Sequence, residues 1–407
     1  MPVDLKKIPP PDSPPSRIVW WFWFLLLIIF MISGVVYVIL TEVDKPIIND
    51  RFFWERSLVT PVISWLLMFG TRVAIYQGRK SVVEKRNKDR EYILEREIKR
   101  GRRSFKLLGV SIHTALRGLD DTEGLLQSDA LNNKTRALKT QSSWRSDDGV
   151  KHSQLQRMAN ETPDDVLKRT MNKTLDELGP ILTSADEHQP LLLLLENNTS
   201  LPDNQVTEIC EYCFKQSQIR QPLVYLEGNG LSVIDKLLDQ QLHKDYLLMI
   251  ISFQLIPEEL EGTAEAMAGL LLEYPGGASG LTPLATLYRP QRASGTGSED
   301  LRDALQQSMF WGDINPQNMK AGWLVGSSEH WNLAIASGLE KLKVPINIGR
   351  DLYNIDSILG FPGPVSPWLA ISCAVTDSKE KEPRIIISGD LRNDNPLWVT
   401  TLLNHDH

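Results

Sequence analysis

No other feature restricts what this chain can fold into as much as residues 18–40, IVWWFWFLLLIIFMISGVVYVIL, 23 residues without a charge. About 20 apolar residues in a helix cross the hydrocarbon core of a bilayer. Trp20, Trp21 and Trp23 near one end and Tyr37 near the other suit the two interfaces. The alternative is a cleaved signal peptide. The run is too long for that apolar region, and no small-residue cleavage pattern follows it. The stretch reads as a span.

A second segment, 57–76, has an uncharged part at 57–71, after which Arg72 must snorkel or mark the end. Pro61 and Gly70 are tolerated in membrane helices, and an interfacial helix is the alternative. Between the two segments lie only Lys45, Arg51 and Arg56, whereas 79–103 carries eleven Lys and Arg. The positive-inside rule then places that flank in the cytoplasm. A tight hairpin brings the N-terminus, with Lys6, Lys7 and Arg17, to the same side. The expectation is a multi-pass protein with a cytoplasmic main domain.

With 407 residues there is room for two or three domains, or one large α/β domain with additions. A net charge of -7 argues against a general nucleic-acid binder. Three cysteines make no disulfide framework. Cys210 and Cys213 form a CxxC, but inside an amphipathic helical pattern and not at a helix start after a strand. No second CxxC or HxxxH pair completes a zinc site, so structural or incidental cysteines and no metal are expected.

Along the chain, 1–17 is a Pro-rich extended tail. The mixed-charge stretch 77–104 continues the second span as a helical stalk, either touching anionic lipid or merely solvated. Residues 105–113 (FKLLGVSIH) open the globular part as a strand, and 120–161, polar with few large apolar residues, reads as an exposed insertion. Thr162, Pro163 and Asp165 start a helix that Gly179-Pro180 should stop. Strands at 191–195, 223–226 and 246–255 then alternate with helices at 204–215 and 231–241. The second half repeats this, with strands near 284–289 and 321–325 and helices near 299–310, 330–342 and 366–375. Two strands, 384–388 and 397–402, close the chain. Alternation of this kind predicts an α/β fold with a mainly parallel sheet.

Three stretches, in order, are 223–241 (LVYLEGNGLSVIDKLLDQQ) with the strand after it, 261–273 (EGTAEAMAGLLLE), and 354–369 (NIDSILGFPGPVSPWL). Together they resemble the thiolase and β-ketoacyl synthase family. The resemblance covers about 105–403 and implies a thiolase-like, two-half layered α/β fold behind the transmembrane helical hairpin. It also makes 261–273 a strand, although its alanines favour helix. What it implies about chemistry is not met here. The family's nucleophilic Cys belongs on the turn matched by 228–232, which has none. Its first His belongs in the turn matched by 324–328, and His330 lies two residues beyond. Its second His falls on Phe361, whose phenyl ring has no proton to give or take. Ser232 as a substitute nucleophile has no His in the local match.

Other motifs add nothing. Gly228-Asn229-Gly230 lacks the third Gly of a dinucleotide turn, since Val233 stands there. Gly277–Gly280 is one residue short of a nucleophile elbow. No catalytic, cofactor-binding or metal residue is therefore expected, and no cofactor. The reading is a non-catalytic, membrane-anchored scaffold with a protein partner. The overall arrangement resembles accessory proteins of bacterial type VI secretion clusters, which implies the inner membrane. The alternatives are a membrane-tethered enzyme acting on acyl-CoA or acyl-carrier substrates, and a homodimer paired through a sheet edge.

Overall fold

The computed structural model describes residues 3, 5–41, 54–145, 147–240, 246–277, 279–376, 382–390 and 395–405. The chain forms two compact units, Asp4–Glu97, and Ile98–His407 with Met1–Val3.

In the first unit, helix α1 (Trp20–Thr41) carries the apolar run. A π-helical turn (Glu55–Val59) leads into α2 (Thr60–Gly101), one 42-residue helix holding both the second apolar segment and the charged stalk. Both helices are long and apolar enough to cross a membrane. They pack antiparallel. Trp65 Nε1 donates to Trp23 O at 2.9 Å, and Phe69 stacks on Trp65 while meeting Trp20 and Trp23. At the other end Gly34 lets the helices touch, because a Cβ there would lie 2.4 Å from Pro61 Cγ. The loop between them, 42–53, with Lys45 and Arg51, lies outside the described residues. The Pro-rich tail runs back along α2. Asp12 and Asn87 exchange two hydrogen bonds, and Arg90 Nε donates to Pro9 O at 2.6 Å.

The second unit is built twice from one plan. Strand β1 (Ser104–His113), helix α4 (Pro163–Thr183), β4 (Leu191–Thr199), α5 (Asp203–Gln216), β5 (Leu223–Leu226), α6 (Leu231–Asp239), β6 (Leu247–Leu255) and β7 (Ala266–Glu273) form the first half. The second half answers each in turn: β8 (Ala285–Tyr288), α7 (Ser298–Trp311), β10 (Ala321–Val325), α8 (Trp331–Lys341), β11 (Leu352–Asn354), α10 (Ser366–Thr376), β12 (Arg384–Ser388) and β13 (Trp398–Asn404). Within each half the pairings are the same. β4 lies parallel between β5 and β6, as β10 does between β11 and β12, and the next two pairs in each half are antiparallel. An antiparallel β1–β8 contact joins the halves into one eleven-stranded sheet. The sheet is thus mixed and not mainly parallel, because every β6–β7-type hairpin reverses direction.

Alternate side chains of each strand belong to different cores. Leu192, Leu194, Leu248 and Ile250 join Trp323, Val325 and Ile386 around the central helices α6 and α10. Leu191, Leu193, Met249 and Ile251 pack under α4 and α5, while Leu324, Ile385 and Ile387 pack under α7 and α8. This is the period-2 rule applied to strands covered on both faces, and it gives five layers, α-β-α-β-α. Helix α10 is buried nearly all round, as its apolar sequence SPWLAISCAVT requires.

Three expectations change. The capping box of Thr162 and Asp165 starts α4 as read, but the helix continues through Pro180 to Thr183. The 120–161 stretch is not simply exposed. It contains α3 (Leu125–Asn132) and the hairpin β2 (Lys139–Gln141)–β3 (Val150–His152). Gln127 is fully buried, its amide oxygen accepting from Thr114 N and its amide donating to Ile112 O, and Leu131 enters the central core. Finally, α6 ends at Asp239, and Gln241 lies outside the described residues.

Candidate functional site

The carboxyl ends of the parallel strands in both halves open on one groove of about 680 Å³. Crevices beyond such strand ends are where open α/β sheets bind ligands. From the first half come Glu196 and Asn198 on β4 and the 229–232 turn that starts α6. The second half adds Phe361 and Gly363 ahead of α10 and Pro367 in its first turn, with Ser388 at the end of β12, Asp390 just after it and Trp398 at the start of β13. Arg292, on the short strand β9 (Gln291–Arg292) paired to β13, is its cation.

The sequence placed Ser232 and Phe361 in a common site, and the fold brings both to this groove. Ser232 Oγ donates to Asn229 O at 2.7 Å and meets no imidazole. Phe361 is 4% exposed, and its ring lies against Gly326, so the two turns singled out for histidines do meet. His330 does not join them: it is exposed at the start of α8 and bonds Ser328 Oγ at 2.6 Å. Cys210 and Cys213 are buried in α5, where desolvation pushes their thiols up to about 12 and about 11. Those are inert values. Among the described residues, no histidine lines the groove and no cluster of His, Cys, Asp and Glu could hold a metal.

Two carboxylates decide the electrostatics of the turns. Glu196 accepts from Gly230 N at 2.5 Å, at the start of α6, and from Trp368 Nε1 at 2.7 Å. Burial raises its pKa, while those two donors oppose the rise. In the second half, Asp356 Oδ2, on the short helix α9 (Ile355–Ile358), accepts from Gly326 N at 2.7 Å and from Ser327 N at 3.4 Å. Burial pushes Asp356 up to about 7, again against its amide donors. The backbone N–H groups of Gly230 and Gly326 are therefore already bonded within the protein. Gln254, fully buried, ties the groove floor together. It accepts from Asn198 Nδ2 at 2.6 Å and donates to Ala264 O and Phe361 O, both at 2.9 Å.

Sequence reasoning missed Glu196, Asn198, Arg292 and Trp398. Only Glu196 left a trace, a carboxylate ending the apolar run LLLLLE where a buried strand should contain none.

No protein-family model and no curated protein matches the sequence. Solved structures do. A PfaC keto synthase–chain length factor is similar at 10% identity and TM-score 0.54, covering 75% of this chain, which spans 43% of that one. The ishigamide ketosynthase/chain length factor aligns at 10% identity and TM-score 0.54, over 74% of this chain and 100% of that one. AntDE:AntF, a type II PKS acyl-carrier protein in complex with its ketosynthase, aligns at 10% identity and TM-score 0.51, over 74% and 99%. Identity this low speaks for fold alone. Together with the doubled plan and five layers, it establishes that the globular part of this chain has the thiolase-like, ketosynthase-type α/β fold.

Proposed function

We propose that this protein is a membrane-anchored, non-catalytic interaction module whose thiolase-like body docks a protein partner. One observation carries the reading: the protein's own carboxylates bond the amide of Gly230 in the groove turn and that of Gly326 beside Phe361, through Glu196 and Asp356. Acyl transfer needs an activated nucleophile and free donors for a developing oxyanion. Ser232 has no base beside it, and Phe361 supplies no proton. In this proposal α1 and the first part of α2 cross the membrane twice, with a partner in the same cell envelope, of the kind a bacterial secretion machine of the inner membrane would supply.

The test pairs two measurements on the full-length protein. In-cell crosslinking followed by mass spectrometry should recover the same envelope protein with wild type and with Ser232→Ala. Purified protein in detergent should release no thiol from acetyl- or octanoyl-CoA above the buffer rate. Thiol release that Ser232→Ala abolishes would overturn the reading in favour of an acyl-CoA or acyl-carrier enzyme.

A second reading, self-pairing through a sheet edge, is favoured by β5. This terminal strand of the sheet exposes Val224 and Tyr225, and Arg220 and Glu227 flank it. Two copies pairing antiparallel would bring those opposite charges together. Sedimentation should then give a dimer that Tyr225→Lys splits, and a monomeric wild type would dismiss it.

A further inference from the structure

Depth along the antiparallel hairpin can be read from its contacts. Trp20, Trp23, Trp65 and Phe69 form an aromatic belt at one end. From Phe69, a helix rise of about 1.5 Å per residue places Arg72 ~4.5 Å and Arg79 ~15 Å further out. Arg17 precedes Trp20 by three extended residues, or about 10 Å, so it falls between the other two. The Asp12–Asn87 bonds check this: at these rises the tail and the helix both run about 26–27 Å from the belt to that contact.

Three guanidiniums therefore cluster where lipid headgroups would begin, within reach of the phosphates given a Debye length of about 8 Å. Residues 57–83 contain no Asp or Glu. Among the described residues, none of the three has an acidic partner, whereas Lys80 pairs with Glu84 and Arg86 with Asp12. Lys80 and Arg86 are thus answered within the protein, and these three arginines are not.

We propose that Arg17, Arg72 and Arg79 form a phosphate-binding collar that selects anionic phospholipid around the hairpin. Guanidinium forks bond phosphate oxygens in pairs, which suits a lipid phosphodiester. The proposal rests on the reading that the hairpin enters the bilayer.

The full-length protein, reconstituted in phosphatidylcholine vesicles, tests both statements through quenching of the belt tryptophans. Lipid with brominated acyl chains is added at equal mole fraction, either as phosphatidylglycerol or as phosphatidylcholine. Brominated phosphatidylglycerol should quench more, with a preference of about fivefold for each arginine engaged. The preference should fall towards one in R17Q/R72Q/R79Q and, for wild type, in 0.5 M NaCl. Equal quenching of wild type by the two lipids would overturn the collar but keep the hairpin in the membrane. Quenching by neither would overturn the membrane reading itself.

Discussion

Trp368 donates its indole N–H to Glu196 at 2.7 Å, joining the central helix of one half to the strand end of the other. The same carboxylate caps the first turn of α6 through Gly230. One side chain thus fixes the relative placement of two central elements and occupies the Gly230 amide of the groove turn.

Trp368→Phe should lose this donor and, because phenyl is smaller than indole, leave a small cavity at a fully buried site. Removing a hydrogen bond to a buried charged group costs about 2–3 kcal/mol. Chemical denaturation in detergent measures it, and a loss below about 1 kcal/mol would mean that another donor replaces the indole.

Glu265, 2% exposed, has its pKa pushed up to about 7 by burial, against hydrogen bonds from the backbone of Ile256 and Leu155. Its folded value lies above its ordinary one, so the folded state holds the proton more tightly. That contribution is complete below about pH 4.5 and is lost as the pH rises through about 7, a change of about 3–4 kcal/mol. Asp356, also raised to about 7, acts in the same sense. Wild type should be more stable at pH 5 than at pH 8, and Glu265→Gln should show a shallower dependence while losing one backbone hydrogen bond. An unchanged pH slope in the variant would remove Glu265 as its source.

Gly363 has φ +58, and a Cβ there would lie 2.0 Å from Gln254 Oε1. Gly363→Ala should cost about 2–4 kcal/mol through backbone strain and displacement of Gln254. Gly118→Ala, which meets nothing within 4 Å, serves as the control and should leave the melting temperature unchanged.

Ser232→Cys would place a thiol on the groove turn. With Glu196 already bonded at the start of α6, the introduced thiol should keep an ordinary pKa near 8.5. Its alkylation by iodoacetamide should rise about tenfold per pH unit from 6 to 8. The native cysteines, all buried, stay silent. Fast alkylation at pH 6 would reveal an activating centre and count against a non-catalytic role.

Much of the chain's order was legible because its signals are local. The Thr162–Asp165 capping box, the apolar run at 191, the Gly228–Gly230 turn and the 18–40 helix each follow from residues a few positions apart. Reading 261–273 as a strand needed the resemblance, since its alanines point the other way; β7 indeed occupies Ala266–Glu273. Ordering of the 120–161 stretch was not legible. It depends on Gln127 finding Ile112 and Thr114, and on Ala137 and Leu138 donating to Ile358, more than 200 residues away.

By itself the sequence determined which segments are apolar enough for a membrane, which are helix or strand, and that Phe361 stands where an imidazole was expected. Tertiary structure alone decided that the sheet is mixed, that the plan is doubled, and that Glu196 and Asp356 bond the amides of Gly230 and Gly326 from 34 and 30 residues away. Periodicity and caps act over a turn or two of chain. A buried carboxylate's choice of donor is set by which strand ends the fold brings together.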